Sequence, residues 1–155
     1  MDVHCKLAAK GVGHRERMTT PTVTHKPLDE LYTAVERGTP INPDVFADDA
    51  VLDATVPMWR FHTNGAAATA AELGRWYADA GHFESFVRFD LPGGALVEFT
   101  LTWQQQGVPH ACHQSHRLEF AADGRIRSLT AFCGGRWPAS LLADMARAEQ
   151  GAGAQ

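Results

Sequence analysis

The sequence predicts a single α+β domain, because helical periodicity dominates the first half of the 155 residues and strand periodicity dominates the second half. In the first half, apolar residues recur at helical spacing in segments 27–38 and 66–80. From His82 onward the period becomes two, which is typical of strands that bury one face. Helices followed by a long meander of strands favour helices packed on an antiparallel sheet.

The first half of the chain contains three predicted helices. Pro27 opens the first helix and Gly38 closes it. Segment 42–47 predicts a second, short helix, and segment 51–56 predicts a strand. A loop is expected from Pro57 to His62 before the alanine-rich helix 66–80.

The second half predicts four long strands and a closing helix. The strands are expected at 82–91, 95–105, 110–120 and 125–133, with turns at 92–94, 106–107 and 122–124 between them. An amphipathic pattern predicts the C-terminal helix at 138–149.

Composition disfavours several classes of function. The net charge of −4 and the absence of a basic run disfavour nucleic-acid binding. Apolar runs fall short of the roughly 20 residues that span a bilayer. Three unevenly spaced cysteines indicate reduced thiols and a cytoplasmic protein. Because no CxxC or HExxH pattern occurs, we expect neither a metal site nor a cofactor.

The polar segment 1–25 is interpreted as a disordered extension or a start-site artefact, since Met18 offers an alternative start. It lacks the apolar stretch of a signal peptide. The folded domain is then expected to span residues 26–150.

His116 is the most informative residue in the sequence. It lies in the strand-like run 110–120, where alternation places it on the same face as Leu118, Phe120 and Gln114. Because Leu118 and Phe120 must face a core, the imidazole must face it too. Two interpretations remain open, a hydrogen-bonded structural histidine or the polar group at the bottom of a pocket.

Two segments resemble the nuclear transport factor 2-like superfamily, in particular its SnoaL-like and ketosteroid isomerase-like members. Phe46-Ala-Asp-Asp-Ala50 is similar to a common helix end of that family, and the run 99–134 can be aligned with ketosteroid isomerase without a gap. The resemblance implies a cone-shaped fold, in which a curved antiparallel sheet of about four long strands and a short one packs on three helices.

The resemblance also implies roles for individual residues. His116 aligns with the acid of the isomerase oxyanion hole, whereas the position of the isomerase base is Ala54, next to Asp53. Asp53 and Tyr32 are therefore candidate catalytic partners of His116. The candidate substrate-binding residues share pocket-facing positions or the exposed loop: Trp59, Phe99, Leu101, Trp103, Gln114, Ala131 and Cys133.

We therefore expect a pocket for a small hydrophobic, ring-containing metabolite. If the protein is an enzyme, the chemistry would be cofactor-free proton transfer, namely isomerisation, cyclisation or dehydration. The alternatives are a non-catalytic carrier or sensor and an assembly module. A homodimer is expected through the outer sheet face, which carries both threonine and glutamate side chains.

Overall fold

The computed structural model describes residues 25–152. Apart from His25, the predicted N-terminal extension lies outside the described residues. The elements, in chain order, are α1 Lys26–Arg37, a 3₁₀ turn Pro43–Val45, β1 Phe46–Val56, β2 Trp59–Asn64, α2 Ala66–Trp76, β3 Gly81–Leu91, β4 Gly94–Gln105, β5 Val108–Phe120, β6 Ile126–Cys133, β7 Trp137–Pro138 and α3 Ala139–Ala152.

The strands form one curved, open sheet in the order β2-β1-β6-β5-β4-β3, and β7 pairs with β5. Neighbouring strands are antiparallel except β1 and β6, which run parallel. The sheet is therefore mixed, and the predicted antiparallel meander accounts for β3 to β6. This arrangement is the expected α+β cone.

Helix α1 forms where the sequence predicts it and closes one end of the cone. Its apolar stripe is buried and comprises Leu28, Leu31, Tyr32 and Val35. Gly38 ends the helix in the left-handed region, with φ of 62°. A Cβ atom at Gly38 would lie 2.4 Å from the backbone nitrogen of Ala80, so only glycine fits this close approach.

Segment 42–47 does not form the predicted helix. Only one 3₁₀ turn forms, capped by the Asn42 side chain, which accepts from the Asp44 backbone N–H. Strand β1 begins at Phe46, five residues before the predicted strand. The parallel pairing of Phe46 with Ile126 fixes this start, and local periodicity does not reveal such a long-range contact.

The predicted loop from Pro57 to His62 is also wrong. Residues 57–58 form a tight turn, with Met58 at φ of 64°, and β2 returns antiparallel along β1. β2 is an edge strand with mostly exposed side chains, so it has little of the apolar alternation by which strands are recognised. Backbone hydrogen bonds to β1, and not burial of its side chains, define β2 as a strand.

The core lies between the concave face of the sheet and helices α1 and α2. It includes large side chains from every layer: Leu31 of α1, Leu52 of β1, Leu73 of α2, Phe99 of β4 and Leu118 of β5. Helix α2 ends at Trp76, earlier than predicted, and Tyr77 follows as its cap. Within residues 25–152, no helix has the length and apolar character needed to cross a membrane.

Candidate functional site

Strand β5 carries the polar residues at the centre of the domain. Alternation places Cys112, Gln114 and His116 on its inner face, in line with Leu118. His116 is 1% exposed and Gln114 is 5% exposed. Polar groups buried this deeply need hydrogen-bond partners, and helices α1 and α2 supply them.

A chain of hydrogen bonds connects α1 to the end of α2 through β5. The Tyr32 hydroxyl lies 2.9 Å from His116 Nδ1, and His116 Nε2 lies 2.9 Å from Gln114 Oε1. The Tyr77 hydroxyl donates to the same amide oxygen at 2.6 Å. Gln114 Nε2 donates to Cys112 Sγ at 3.3 Å.

The partners determine which tautomer His116 adopts. An amide oxygen only accepts, so His116 Nε2 carries the proton and donates to Gln114. Nδ1 then accepts from the Tyr32 hydroxyl. Burial lowers the pKa of His116 to about 3, which keeps the ring neutral near physiological pH. Both ring nitrogens are thus engaged, and neither is free to take a proton from a ligand.

The two tyrosines of the network are hydrogen-bond donors at neutral pH. Burial raises the pKa of Tyr32 and of Tyr77 well above 10. Aromatic contacts hold Tyr32 in place, since its ring packs edge-on against Phe86 and Phe99. Phe99 also packs edge-on against the imidazole of His116, with ring centroids 5.0 Å apart.

A cavity of about 350 Å³ lies beside this network. Its wall is mainly apolar and aromatic, with a few polar groups. The lining comprises Val56, Pro57, Phe61, Trp76, Tyr77, Asp79, Leu101, Trp103, Cys112, Gln114, Cys133, Gly135 and Arg136. Tyr77 and Gln114 join the cavity to the buried chain of hydrogen bonds, whereas His116 does not belong to the lining.

The predicted binding residues fall into two groups. Leu101, Trp103, Gln114 and Cys133 line the cavity. Phe99 and Ala131 are buried around His116 and stay outside the lining, and Ala131 pairs with His116 across the sheet.

The structure separates Asp53 and Trp59 from this site. Asp53 lies between Leu52 and Ala54, which are fully buried, so its side chain points to the other face of β1. Arg60 binds the Asp53 carboxylate there, with Nε 2.8 Å from Oδ1, and this hydrogen bond lowers the pKa of the carboxyl. Trp59 is 67% exposed on edge strand β2 and does not line the cavity. Both assignments are therefore corrected.

Sequence reasoning missed Tyr77 and Arg136. Tyr77 lies within the predicted helix 66–80, where helical spacing marks it only as part of an apolar face, although a buried tyrosine hydroxyl requires a partner. Arg136 lies in the short connection after β6, and no periodic pattern marks such a segment. Its position depends on β7, which pairs with β5 and brings the connection over Trp103.

Cysteine and histidine side chains between residues 25 and 152 do not gather into a metal centre. In the described part of the chain, no group of three or more metal-ligating side chains is close enough to hold an ion. Cys112 and Cys133 are free thiols. Burial raises the pKa of Cys112 to about 11 and also raises that of Cys133, so both remain protonated.

Comparison with known proteins identifies the fold. No protein-family model matches the chain, and no curated protein matches its sequence. Among solved structures, an NTF2-like protein from Anabaena variabilis ATCC 29413 is similar with a TM-score of 0.62 and 12% identity, over 72% of this chain and 86% of that chain. A hypothetical protein from Catenulispora acidiphila DSM 44928, described with a ketosteroid isomerase-like fold in complex with trimethylamine, has a TM-score of 0.56 and 15% identity, over 75% and 88%.

An enzyme is also among the similar structures. The epoxide hydrolase/cyclase-like enzyme SalBIII, described for pyran ring formation in the polyether salinomycin, has a TM-score of 0.54 and 12% identity, over 70% of this chain and 88% of that chain. The chain thus has the same fold as these NTF2-like and ketosteroid isomerase-like structures, and the predicted resemblance is confirmed at the level of fold. The activity has to be argued from the site.

Proposed function

We propose that this protein binds a small, ring-containing hydrophobic metabolite in the cavity, with one polar oxygen of the ligand placed at Tyr77 and Gln114. The observation that carries the proposal is a mainly apolar cavity of about 350 Å³, in which a buried network holds two of the polar groups, Tyr77 and Gln114. Ligand pockets typically combine an apolar wall with a small number of fixed polar groups.

Unused hydrogen-bonding capacity at Tyr77 and Gln114 supports this orientation. One N–H of the Gln114 amide bonds Cys112, and the second has no partner among residues 25–152. The Tyr77 oxygen still has a lone pair that can accept a hydrogen bond from a ligand hydroxyl. A carbonyl could therefore accept from the amide, and a hydroxyl could donate to the phenol.

His116 then acts as a positioning residue. Its Nε2–H orients the Gln114 oxygen, and Tyr32 holds the ring from the other side. A neutral imidazole whose two nitrogens are both occupied is a poor proton acceptor, so the family-based role as acid or base is less favoured than this one.

A thermal-shift screen tests the binding proposal, with steroids, polyketide-like aromatics and terpenoids as ligand classes. A binding class should raise the melting temperature of the wild type, and Gln114→Leu should reduce that shift. Asp53→Leu is the matched control because it also replaces a polar side chain by leucine, but on the opposite face of the sheet. If no class stabilises the wild type, or if Asp53→Leu reduces the shift as much as Gln114→Leu, the proposal is wrong.

A cofactor-free isomerase, cyclase or dehydratase is the second candidate. The observation that favours it is that the Gln114 amide, whose second N–H can donate, and Asp79, a carboxylate, line the same cavity. Such a pair could stabilise an oxyanion and remove a proton. The test is hydrogen–deuterium exchange into a bound ketone in D₂O. Exchange that Asp79→Asn abolishes indicates an enzyme, and its absence in the wild type indicates a carrier or sensor.

We also propose a homodimer through the outer sheet face. Apolar side chains are exposed on the outer face of β3 and β6, among them Val87, Phe89 and Phe132, and exposed apolar clusters mark interaction surfaces. Light scattering during size-exclusion chromatography should give twice the monomer mass, and a monomer at micromolar concentration would contradict it.

The free thiols Cys112 and Cys133 support a reducing, cytoplasmic location.

A further inference from the structure

Arg136 is a cation at the wall of a mainly apolar cavity. Its guanidinium carbon lies 4.8 Å from the centroid of the Trp103 ring, a distance typical of a cation–π contact. Within residues 25–152, no carboxylate lies within ion-pair distance of Arg136. By contrast, Arg117 and Arg127 of the neighbouring strands both bind carboxylates.

Trp103 adds a second, independent observation. Its side chain lines the cavity and is 7% exposed, yet its indole Nε1 is buried without a hydrogen-bond partner among the described residues. A buried donor without an acceptor costs free energy. An acceptor oxygen on a ligand would remove that cost.

The charge of Arg136 acts on the interior of the cavity. Burial raises the pKa of Cys112 and Cys133, and the charge of Arg136 opposes that rise at both thiols. A positive potential of this kind favours an anion in the same space. Asp79 lies in the lining as well, but it does not pair with Arg136, so it weakens the attraction without neutralising the cation.

We propose that the ligand is an anion with an apolar ring system, whose carboxylate binds Arg136 and accepts a hydrogen bond from Trp103 Nε1. This inference rests on the proposed ligand-binding function and narrows its ligand class. The apolar body then contacts Leu101 and Phe61, and a hydroxyl elsewhere on the ligand would donate to the Tyr77 oxygen.

Isothermal titration calorimetry with a matched pair of probes tests the inference. Naphthalene-2-carboxylate and naphthalene-2-carboxamide share their ring system and a carbonyl oxygen, but only the first is charged. The wild type should bind the carboxylate about tenfold more tightly, since charge-assisted hydrogen bonds are roughly twice as strong as neutral ones. This preference should shrink as salt is added.

Two variants separate the charge from the N–H donor. Arg136→Gln should lower carboxylate affinity to that of the carboxamide and leave carboxamide affinity unchanged. Trp103→Phe should weaken both probes, because both present an acceptor oxygen. Arg147→Gln is the matched control: it removes the same charge from the exposed face of α3 and should change neither affinity.

The outcomes distinguish the two proposals. If both probes bind the wild type equally, or if Arg136→Gln leaves the carboxylate preference intact, the anion inference is overturned while the ligand-binding cavity stands. If neither probe binds, the inference and the cavity proposal fail together.

Discussion

Acid should destabilise this protein because His116 is buried in its neutral form. The imidazole pKa is about 3 in the folded state, against 6.5 for an ordinary histidine. The unfolded state therefore binds a proton below about pH 6.5 that the folded state does not bind. Stability is fully present above the unfolded pKa and is lost as the pH falls below it.

The magnitude follows from proton linkage. Each pH unit between the two pKa values costs about 1.4 kcal/mol of unfolding free energy per such group. Lowering the pH from about 8 to about 5 should therefore remove about 2 kcal/mol through His116 alone. That loss is a large part of the stability of a small domain.

The assay is urea denaturation of the wild type and His116→Gln at several pH values. The variant lacks the group, so the wild-type curve should fall about 2 kcal/mol further than the variant curve over the same range. His82→Gln controls for the replacement itself, because His82 lies on the surface. Parallel curves for the wild type and His116→Gln would refute the reasoning.

A direct titration of the wild type tests the same reasoning even if His116→Gln does not fold. Proton NMR of the wild-type imidazole should show no protonation of His116 down to about pH 4.5, because burial holds its pKa near 3. A midpoint near 6.5 would mean that the ring is solvated in the fold, and the assignment of Nδ1 as the sealed acceptor of the Tyr32 hydroxyl would then be wrong.

Two further predictions concern stability. Tyr32→Phe should lower the free energy of unfolding in urea by about 1–3 kcal/mol, because buried His116 Nδ1 loses the hydroxyl that donates to it. A change below experimental error would mean that this hydrogen bond does not contribute to stability. Gly38→Ala should cost more than about 2 kcal/mol, because a left-handed alanine costs about 1–2 kcal/mol and its Cβ overlaps Ala80. Gly93→Ala is its control, since Gly93 has φ of 71° and open space around it, and equal losses for the two variants would contradict the role of the close approach.

Periodicity along the chain was sufficient for most elements of the fold. Alternation in 82–133 predicted β3 to β6 and placed His116 and Gln114 on the inner face, because each side chain there follows from the pleat. The apolar stripe of α1 and the glycine that ends this helix were also predicted from local sequence. The edge strand β2 was missed because exposed strands carry no apolar alternation.

The site itself depended on contacts between distant residues. Sequence alignment with the isomerases suggested Asp53 near His116, but parallel pairing of β1 with β6 buries Ala54 and turns Asp53 outward to Arg60. Tyr77 entered the network through a hydrogen bond across 37 positions of the chain.

The sequence by itself determined the fold class, the inward face of β5 and the presence of a polar group in the core, because those follow from local period and burial. Tertiary structure alone decided that His116 is neutral and hydrogen-bonded to Tyr32, and that Tyr77 and Arg136 line the cavity. The physical reason is that tautomer, pKa and access depend on partners from other elements, which only packing brings within hydrogen-bond distance.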